Sequence, residues 1–232
     1  MNINIKTIKK IYINPDRDVK RKNDIENFFK TLGYENYERF PGVVLPKQKN
    51  CFNIGCSTSH KLAMEKYQNE IPFVLFEDDC KPTQWYDEYV NKEGILEIPG
   101  EPDIVYLGYS LAGHHGWFRA STIKDNWIIL KSAMATHSIL FLSKKGIDIF
   151  LKSCIDGIQR KEPLDVSYAK LMRNNHDIKV YAPKKVLFYQ NNGCVMTTHV
   201  TVNPEDNKWA TYHHNNNLNF EREIIYTDPN QK

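Results

Sequence analysis

An apolar run that ends in three acidic residues constrains this chain more than any other segment. Residues 71–76 are aliphatic or aromatic apart from one proline, and Glu77, Asp78 and Asp79 follow them directly. A continuous apolar run of this length is typical of a strand that is buried on both faces of a sheet. Adjacent carboxylates at the end of such a strand repel each other unless a cation lies between them. The segment therefore predicts a metal site at the edge of a sheet.

The spacing of the three acids indicates which of them would share an ion. Side chains alternate along an extended chain, so Glu77 and Asp79 are expected on one side and Asp78 on the other. Mg²⁺ and Mn²⁺ prefer oxygen ligands, keep several waters and are often completed by substrate phosphates. This chemistry favours a phosphorylated substrate. The competing interpretation is a solvated acidic turn after a strand, which binds nothing.

Length, composition and charge limit the class of protein. The chain has 232 residues, of which 41% are hydrophobic, and this suits one large globular domain. We place that domain at residues 1–202 and a polar tail at residues 203–232, where asparagine is frequent. The 31 basic residues nearly balance the 28 acidic ones, so the net charge is only +3. A nucleic-acid partner is not indicated by so small an excess.

Cysteine usage and the first residues bear on the compartment. The five cysteines include no C-x-x-C pair, so we expect reduced thiols and neither a zinc ribbon nor a disulfide scaffold. Residues 1–10 contain no apolar stretch long enough for a signal peptide or an anchor, and the chain has no Asn-x-Ser/Thr acceptor. These features predict a cytoplasmic protein without an integral membrane segment. They leave peripheral attachment to a membrane open.

The amino-terminal part of the chain predicts a strand, a turn and a helix. A strand at residues 11–13 is followed by an Asn-Pro-Asp turn. Residues 25–32 then carry an apolar stripe at i, i+3, i+4 and i+7, and Gly33 stands where a left-handed C-cap belongs. A second helix is predicted to begin near Ser57 or Thr58, and it leads into the acid-tipped strand.

Later segments continue the alternation. Strands are predicted at residues 103–108, 138–142 and 178–181, with one helix after Ser143 and another beginning near Leu164. Strands separated by helices predict an α/β fold with a mostly parallel central sheet and helices on both faces. Ligands bind such sheets beyond the carboxyl ends of the strands. The side chains that follow each strand are therefore expected to gather at one rim.

A series of short fragments runs in a characteristic order over residues 8–195. The fragments are Ile11-Tyr12-Ile13-Asn14 with Arg17 and Arg21, Phe40-Pro41-Gly42, Gly55-Cys56 with Ser59-His60, Phe76-Glu77-Asp78-Asp79, Ile104-Val105-Tyr106-Leu107-Gly108, Thr136-His137 with Phe141-Leu142-Ser143 and Gly146, Pro163-Leu164-Asp165, and Tyr189-Gln190. In order and spacing the series resembles glycosyltransferase family 25, the group that includes lipooligosaccharide and procollagen galactosyltransferases.

The resemblance implies a GT-A type fold, the Rossmann-like fold of nucleotide-diphospho-sugar transferases. It also implies inverting transfer of a hexose, galactose or glucose by preference, from a UDP-sugar to a hydroxyl of a glycan or glycosylated protein. Mn²⁺, or Mg²⁺, would be the cofactor, and the acidic run resembles a variant of the Asp-x-Asp motif. Asp79 is then the first metal ligand, Glu77 the second, and Asp78 a contact of the ribose or the donor sugar.

Donor-binding residues are expected in the turn after the first strand. Asn14, Arg17 and Arg21 follow that strand, and the guanidinium fork of arginine matches phosphate oxygens. Neighbouring lysines make the whole segment basic, so solvated surface arginines are the competing interpretation. Members of the family usually have leucine where Pro15 stands, which leaves the donor open.

The resemblance implies two further roles. Asp165 is the candidate base that deprotonates the acceptor hydroxyl, although an aspartate at a helix start is also a common cap or partner of the helix dipole. His199 is a candidate third metal ligand, since some GT-A enzymes use a late histidine. His114 and His115, followed by Trp117, suggest a mobile loop that binds the acceptor.

Two other functions fit the same residues. A module that binds nucleotide sugars or glycans without turnover would keep the carboxylates and need no base. A metal-dependent hydrolase or nucleotidyltransferase would use the same carboxylates on other phosphates.

Overall fold

The computed structural model describes residues 1–47, 49–109, 119–124, 126–133 and 137–190. The strands in these ranges are β1 (Asn2–Asn4), β2 (Lys9–Asn14), β3 (Tyr37–Pro41), β4 (Phe73–Glu77), β5 (Cys80–Pro82), β6 (Ile95–Glu97), β7 (Ile104–Tyr106), β8 (Arg119–Lys124), β9 (Trp127–Ser132), β10 (Ser138–Phe141), β11 (Val180–Pro183) and β12 (Phe188–Gln190). The helices are α1 (Val19–Thr31), α2 (Cys51–Tyr67), α3 (Tyr86–Tyr89), α4 (Lys144–Arg160) and α5 (Leu164–Asn174).

The central sheet has eight strands in the order β3-β2-β4-β10-β7-β11-β9-β8. Strand β2 runs parallel to β3 and β4, and β7 runs parallel to β11. The other four neighbouring pairs are antiparallel, so the sheet is mixed and not mostly parallel as predicted. A parallel neighbour needs a long crossover, usually a helix. Between β7 and β10 the described residues form the β8–β9 hairpin instead, and β10 enters antiparallel to both of its neighbours.

Helices cover both faces of the sheet, as predicted. Along β4, Phe73 and Leu75 face one hydrophobic cluster, and Val74 and Phe76 face another; all four side chains are fully buried. The first cluster contains residues of α2, α4 and α5, and the second contains residues of α1 and α3. A strand that is apolar at every position must be covered on both sides, and this confirms the buried strand that leads to the three acids.

The helix with the predicted apolar stripe is confirmed as α1. Its residues Ile25, Phe28 and Phe29 are buried, and Gly33 just beyond its end has φ of +67°. Glycine is favoured there because a Cβ strains the left-handed conformation. Four residues separate this helix from the end of β2, so it carries Arg21 to the carboxyl end of that strand.

Helix α2 begins at Cys51, several residues before the predicted start near Ser57 or Thr58. The buried positions of its first turns are small or polar, Gly55 among them, so they produce no apolar stripe. A Cβ on Gly55 would lie 2.9 Å from the carbonyl oxygen of Val43. The glycine therefore allows residues 42–47 to lie against this helix, and the backbone N–H of Val43 also donates to Ser59 Oγ at 2.7 Å.

Two other expectations concern thiols and membranes. The four described cysteines are free thiols, as predicted: Cys51, Cys56, Cys80 and Cys154. Within the described ranges, none of the helices combines the length and the apolar character needed to cross a bilayer.

Helix α4 provides a test of a predicted cap. Ser143 Oγ accepts a hydrogen bond from the backbone N–H of Gly146 at 3.0 Å and donates to Asp103 Oδ1 at 2.6 Å. We expect Ser143→Ala to lower the free energy of unfolding by about 1 to 2 kcal/mol, because one amide of the first turn and one carboxylate lose a partner. Urea denaturation of the purified protein measures this. The exposed Thr31→Ala should change the same quantity by less than about 0.5 kcal/mol, and equal effects of the two variants would contradict the cap.

Candidate functional site

Two neighbouring parallel strands end at the same edge of the sheet, and the predicted donor site lies there. Strand β2 ends at Asn14 and β4 at Glu77, with Ile13 paired to Glu77 in the register. The buried Asn14 amide donates to Asp78 Oδ2 at 2.7 Å. Its side-chain oxygen accepts from Arg39 Nε at 2.9 Å. Asn14 is thus fixed on both sides and orients the Asp78 carboxylate.

A single guanidinium bridges the two aspartates. Arg21 Nη1 lies 3.0 Å from Asp78 Oδ1, and Arg21 Nη2 lies 2.7 Å from Asp79 Oδ2. The side chains are 15%, 5% and 7% exposed for Arg21, Asp78 and Asp79. Gln190, which β12 places opposite Cys80, donates to Asp79 Oδ2 at 2.9 Å. Arg21 is therefore a buried counter-ion for both carboxylates.

The charge of the pair is only partly compensated. Burial raises the pKa of Asp78 to about 7, although Arg21 lowers it, and burial also raises the pKa of Asp79. Oδ1 of Asp79 is buried and accepts no hydrogen bond from any residue that the structure describes. Buried carboxylate oxygens without a partner carry a desolvation cost that a cation would offset. Asp79 is thus able to accept a further positive ligand.

Glu77 has a different environment from the two aspartates. Strand β4 ends at Glu77, and Asp78 and Asp79 form a turn, so the alternation expected for an extended chain does not continue through the three acids. Glu77 Oε1 lies 3.3 Å from His60 Nε2 of α2. The sequence predicted that Glu77 and Asp79 would lie on one side of an extended strand. The contacts instead pair Asp79 with Asp78, because both carboxylates contact Arg21.

The His60 ring is enclosed between Glu77 and Cys56. Its Nδ1 lies 3.0 Å from the carbonyl oxygen of Cys56 and 3.7 Å from that residue's Sγ. Burial lowers the pKa of His60, but Cys56 and Glu77 outweigh burial, and the pKa is raised to about 10. Burial raises the pKa of the Cys56 thiol.

These side chains line one cavity of about 270 Å³. Its lining residues are Ile13, Pro15, Arg17, Asp18, Arg21, Gly42, Val43, Val44, Leu45, Lys47, Cys51, Phe52, Gly55, Cys56, Ser59, His60, Glu77, Asp78, Asp79 and Gln190. One end is acidic and basic, and the other is an apolar wall. Phe52 and Val44 on that wall are 45% and 46% exposed, so they offer apolar surface to a ligand.

The structure gathers most of the residues that the sequence suggested. Arg17, Arg21 and the three acids line the cavity, and Asn14 holds Asp78 from just behind it. The predicted metal ligand His199 and the predicted acceptor loop with His114, His115 and Trp117 lie outside the described residues.

Asp165 lies elsewhere. It is in the first turn of α5, its Oδ1 accepts from the Val166 backbone N–H at 2.8 Å, and it is not among the described residues that line the cavity. Its charge contributes to the raised pKa of Cys56, so it lies on the Cys56 side of the site. The contact with Val166 suits the alternative role of an acid in a first helical turn. Its role as a base stays a prediction.

Four site residues had no predicted role: Arg39, Gln190, Cys56 and His60. Gln190, Cys56 and His60 belonged to family-like fragments, and the spacing of Cys56 and His60 by four residues on a helix was a further signal. Arg39 reaches the site from β3, and no pattern in the sequence marks it; Gln190 reaches the site from β12.

Comparisons with known proteins add little to this geometry. No model of a known protein family matches the sequence, and no curated protein does. Among solved structures, the chain is similar to the crystal structure of a glycosyltransferase involved in the glycosylation of the major capsid of PBCV-1, with 10% sequence identity and a TM-score of 0.35. The similarity covers 63% of this chain and 66% of the other, just under two thirds of its length. We draw no functional conclusion from a similarity of this size.

Proposed function

We propose that this chain is a metal-dependent, inverting glycosyltransferase of the GT-A type that its sequence resembles. It would move a hexose, galactose or glucose by preference, from a UDP-sugar to a hydroxyl of a glycan or glycosylated protein. The supporting observation is the cavity at the carboxyl ends of β2 and β4. There two arginines, four carboxylates and an apolar wall meet in one space. The diphosphate, the sugar and the nucleobase of a donor require basic, acidic and apolar surfaces of these kinds.

The acidic end of the cavity fits a divalent cation. The unpartnered Asp79 Oδ1 is the atom on which this fit rests. Asp79 would hold Mn²⁺ or Mg²⁺, Glu77 would support it, and His199 stays a predicted third ligand. A bound ion of this kind supplies positive charge beside the diphosphate that departs.

The protein's own residues would divide the remaining tasks. Arg17 and Arg21 would bind phosphate oxygens, because planar guanidinium groups match them in pairs. Asp78, held by Asn14, would accept hydrogen bonds from the ribose or the donor sugar. Asp165 remains the proposed base: it would take the proton of the acceptor hydroxyl while that oxygen bonds to the anomeric carbon and the bond to the diphosphate breaks.

Thermal unfolding with a panel of sugar nucleotides tests the proposal. UDP-galactose, UDP-glucose and the fragment UDP should raise the unfolding temperature only when Mn²⁺ is present. GDP-mannose carries a different nucleobase and is the control. A ligand at 100 times its dissociation constant stabilises by about 2.7 kcal/mol, which is a shift of several degrees. Shifts that are the same with and without Mn²⁺ would contradict metal-dependent donor binding.

Product analysis then separates the functions that share this site. A transferase or a slow donor hydrolysis releases UDP. A phosphohydrolase that cleaves the diphosphate releases UMP and sugar 1-phosphate, and a nucleotidyltransferase transfers the UMP group to its acceptor and releases sugar 1-phosphate. A binding module without turnover is the second candidate, and the absence of Asp165 from the described cavity lining favours it. Donor-dependent stabilisation without any release of UDP, over a panel of glycan acceptors, would support that second candidate.

A further inference from the structure

Three side chains at the cavity form a group whose chemistry differs from that of the aspartates. Cys56 and His60 lie four residues apart on α2, so they occupy the same helix face. Glu77 lies opposite them at the end of β4. One ligand atom from each residue, a thiol sulfur, an imidazole nitrogen and a carboxylate oxygen, lies within 4.8 Å of the other two. The group therefore combines residues of helix α2 and of strand β4.

The orientation of the imidazole is fixed by the backbone. His60 Nδ1 lies 3.0 Å from the carbonyl oxygen of Cys56, and a carbonyl oxygen can only accept, so Nδ1 donates. A metal that displaces the proton on Nε2 therefore takes the lone pair of that atom. Histidines that ligate metals commonly hold the other ring nitrogen in such a bond, which sets the tautomer and the ring plane.

His60 Nε2 faces a carboxylate at a distance that suits two ligands of one metal ion. His60 Nε2 is buried and lies 3.3 Å from Glu77 Oε1. Zinc bonds of about 2.0 to 2.1 Å at a tetrahedral angle hold two ligand atoms about 3.3 Å apart. The two atoms therefore have the separation of neighbouring zinc ligands.

We propose that Cys56, His60 and Glu77 bind one zinc ion. Thiolate and imidazole ligands favour zinc over the Mg²⁺ and Mn²⁺ that the aspartates suit. All three residues line the cavity, so the fourth position of the ion faces the space where a substrate oxygen or a water would lie. This site does not depend on the proposed glycosyl transfer.

Cobalt substitution tests the site without any sugar nucleotide. The reduced protein is freed of metal with a chelator and titrated with Co²⁺. We expect a thiolate-to-cobalt charge-transfer band in the near ultraviolet and intense visible bands typical of tetrahedral cobalt, which saturate at one equivalent of Co²⁺ and are lost when one equivalent of Zn²⁺ is added. Cys56→Ser should abolish the charge-transfer band. Cys51→Ser is the matched control, because Cys51 lies on the same helix and lines the same cavity but is outside the group.

A second pair of variants keeps the test decisive if the serine variant folds poorly. His60→Gln and Glu77→Gln replace each ligand by an uncharged amide and should weaken Co²⁺ binding by at least about 100-fold, the upper end of the loss seen for outer-shell partners, while the charge-transfer band survives at saturating metal. A wild-type spectrum without a thiolate band overturns the proposal. So does a band that Cys51→Ser removes and Cys56→Ser retains. If the wild-type protein shows the cobalt spectrum but no glycosyl transfer, only the proposed function is contradicted.

Discussion

Replacing Arg21 with methionine should lower the free energy of unfolding by about 3 to 5 kcal/mol at neutral pH. The guanidinium contacts Asp78 at 3.0 Å and Asp79 at 2.7 Å, and the two carboxylates are 5% and 7% exposed. Methionine keeps the length and the apolar stem of the side chain but leaves two adjacent buried carboxylates without their cation. Removal of one partner from a buried ion pair costs far more than the pair contributes, because the remaining charge is neither solvated nor paired.

Lys20→Met is the matched control for this substitution. Lys20 is the neighbouring residue on the same helix, its side chain is 83% exposed, and it pairs with Asp24 at 2.7 Å. Exposed i,i+4 pairs of this kind contribute about 0.3 to 0.5 kcal/mol. In urea unfolding, the loss in the free energy of unfolding should therefore be several-fold larger for Arg21→Met than for Lys20→Met. The double variant Arg21→Met with Asp78→Asn should be more stable than Arg21→Met alone, since one of the two uncompensated charges is gone. A loss below about 1 kcal/mol for Arg21→Met would contradict the buried bridge.

The same variant also reports on the metal. If the carboxylates accept a divalent cation, Mn²⁺ should raise the unfolding temperature of Arg21→Met by more than that of the wild-type protein. The ion would replace the positive charge that the substitution removed, and a ligand that binds only the folded state stabilises it. Equal responses of the two proteins to Mn²⁺ would mean that the aspartates do not take up the ion.

Local patterns in the sequence were sufficient for the elements that position this site. The apolar stripe of α1, the continuous apolar run of β4 and the Ser143 cap of α4 each follow from side chains that are close in sequence. The gathering of Asn14 and the acids was also predictable, because the carboxyl ends of adjacent parallel strands meet at one edge. Here that rule applied to β2 and β4, which are parallel neighbours.

Features that depend on distant parts of the chain could not be predicted. Strand β10 has the apolar composition of a parallel core strand, and only its place between β4 and β7 makes it antiparallel to both. Arg39 and Gln190 contact the site through the pairing of β3 and β12, which no local pattern specifies. The turn at Asp78 directs the two aspartates to Arg21, whereas simple alternation along a strand would have paired Asp79 with Glu77.

The substitution of Asp79 by asparagine should have the largest effect on activity. If Asp79 is the principal ligand of a cation that binds the diphosphate, Asp79→Asn should reduce glycosyl transfer by about 100-fold or more and abolish the Mn²⁺-dependent shift produced by UDP. The fold should persist, because the amide keeps the shape of the carboxylate and Arg21 retains Asp78 as its partner. Burial disfavours the charged form of Asp79, so its neutral replacement removes a desolvation cost.

Asp16→Asn is the control that separates this effect from a general loss of negative charge. Asp16 belongs to the turn after β2, its side chain is 83% exposed, and it pairs with Arg39 outside the cavity lining. Its neutralisation should leave transfer within about two-fold of the wild-type rate, because an exposed pair contributes less than about 1 kcal/mol. The deciding comparison is the transfer rate in Mn²⁺ and in chelator. Wild-type protein that is fully active in chelator, or Asp79→Asn that keeps the wild-type rate in Mn²⁺, would exclude Asp79 as the ligand on which transfer depends.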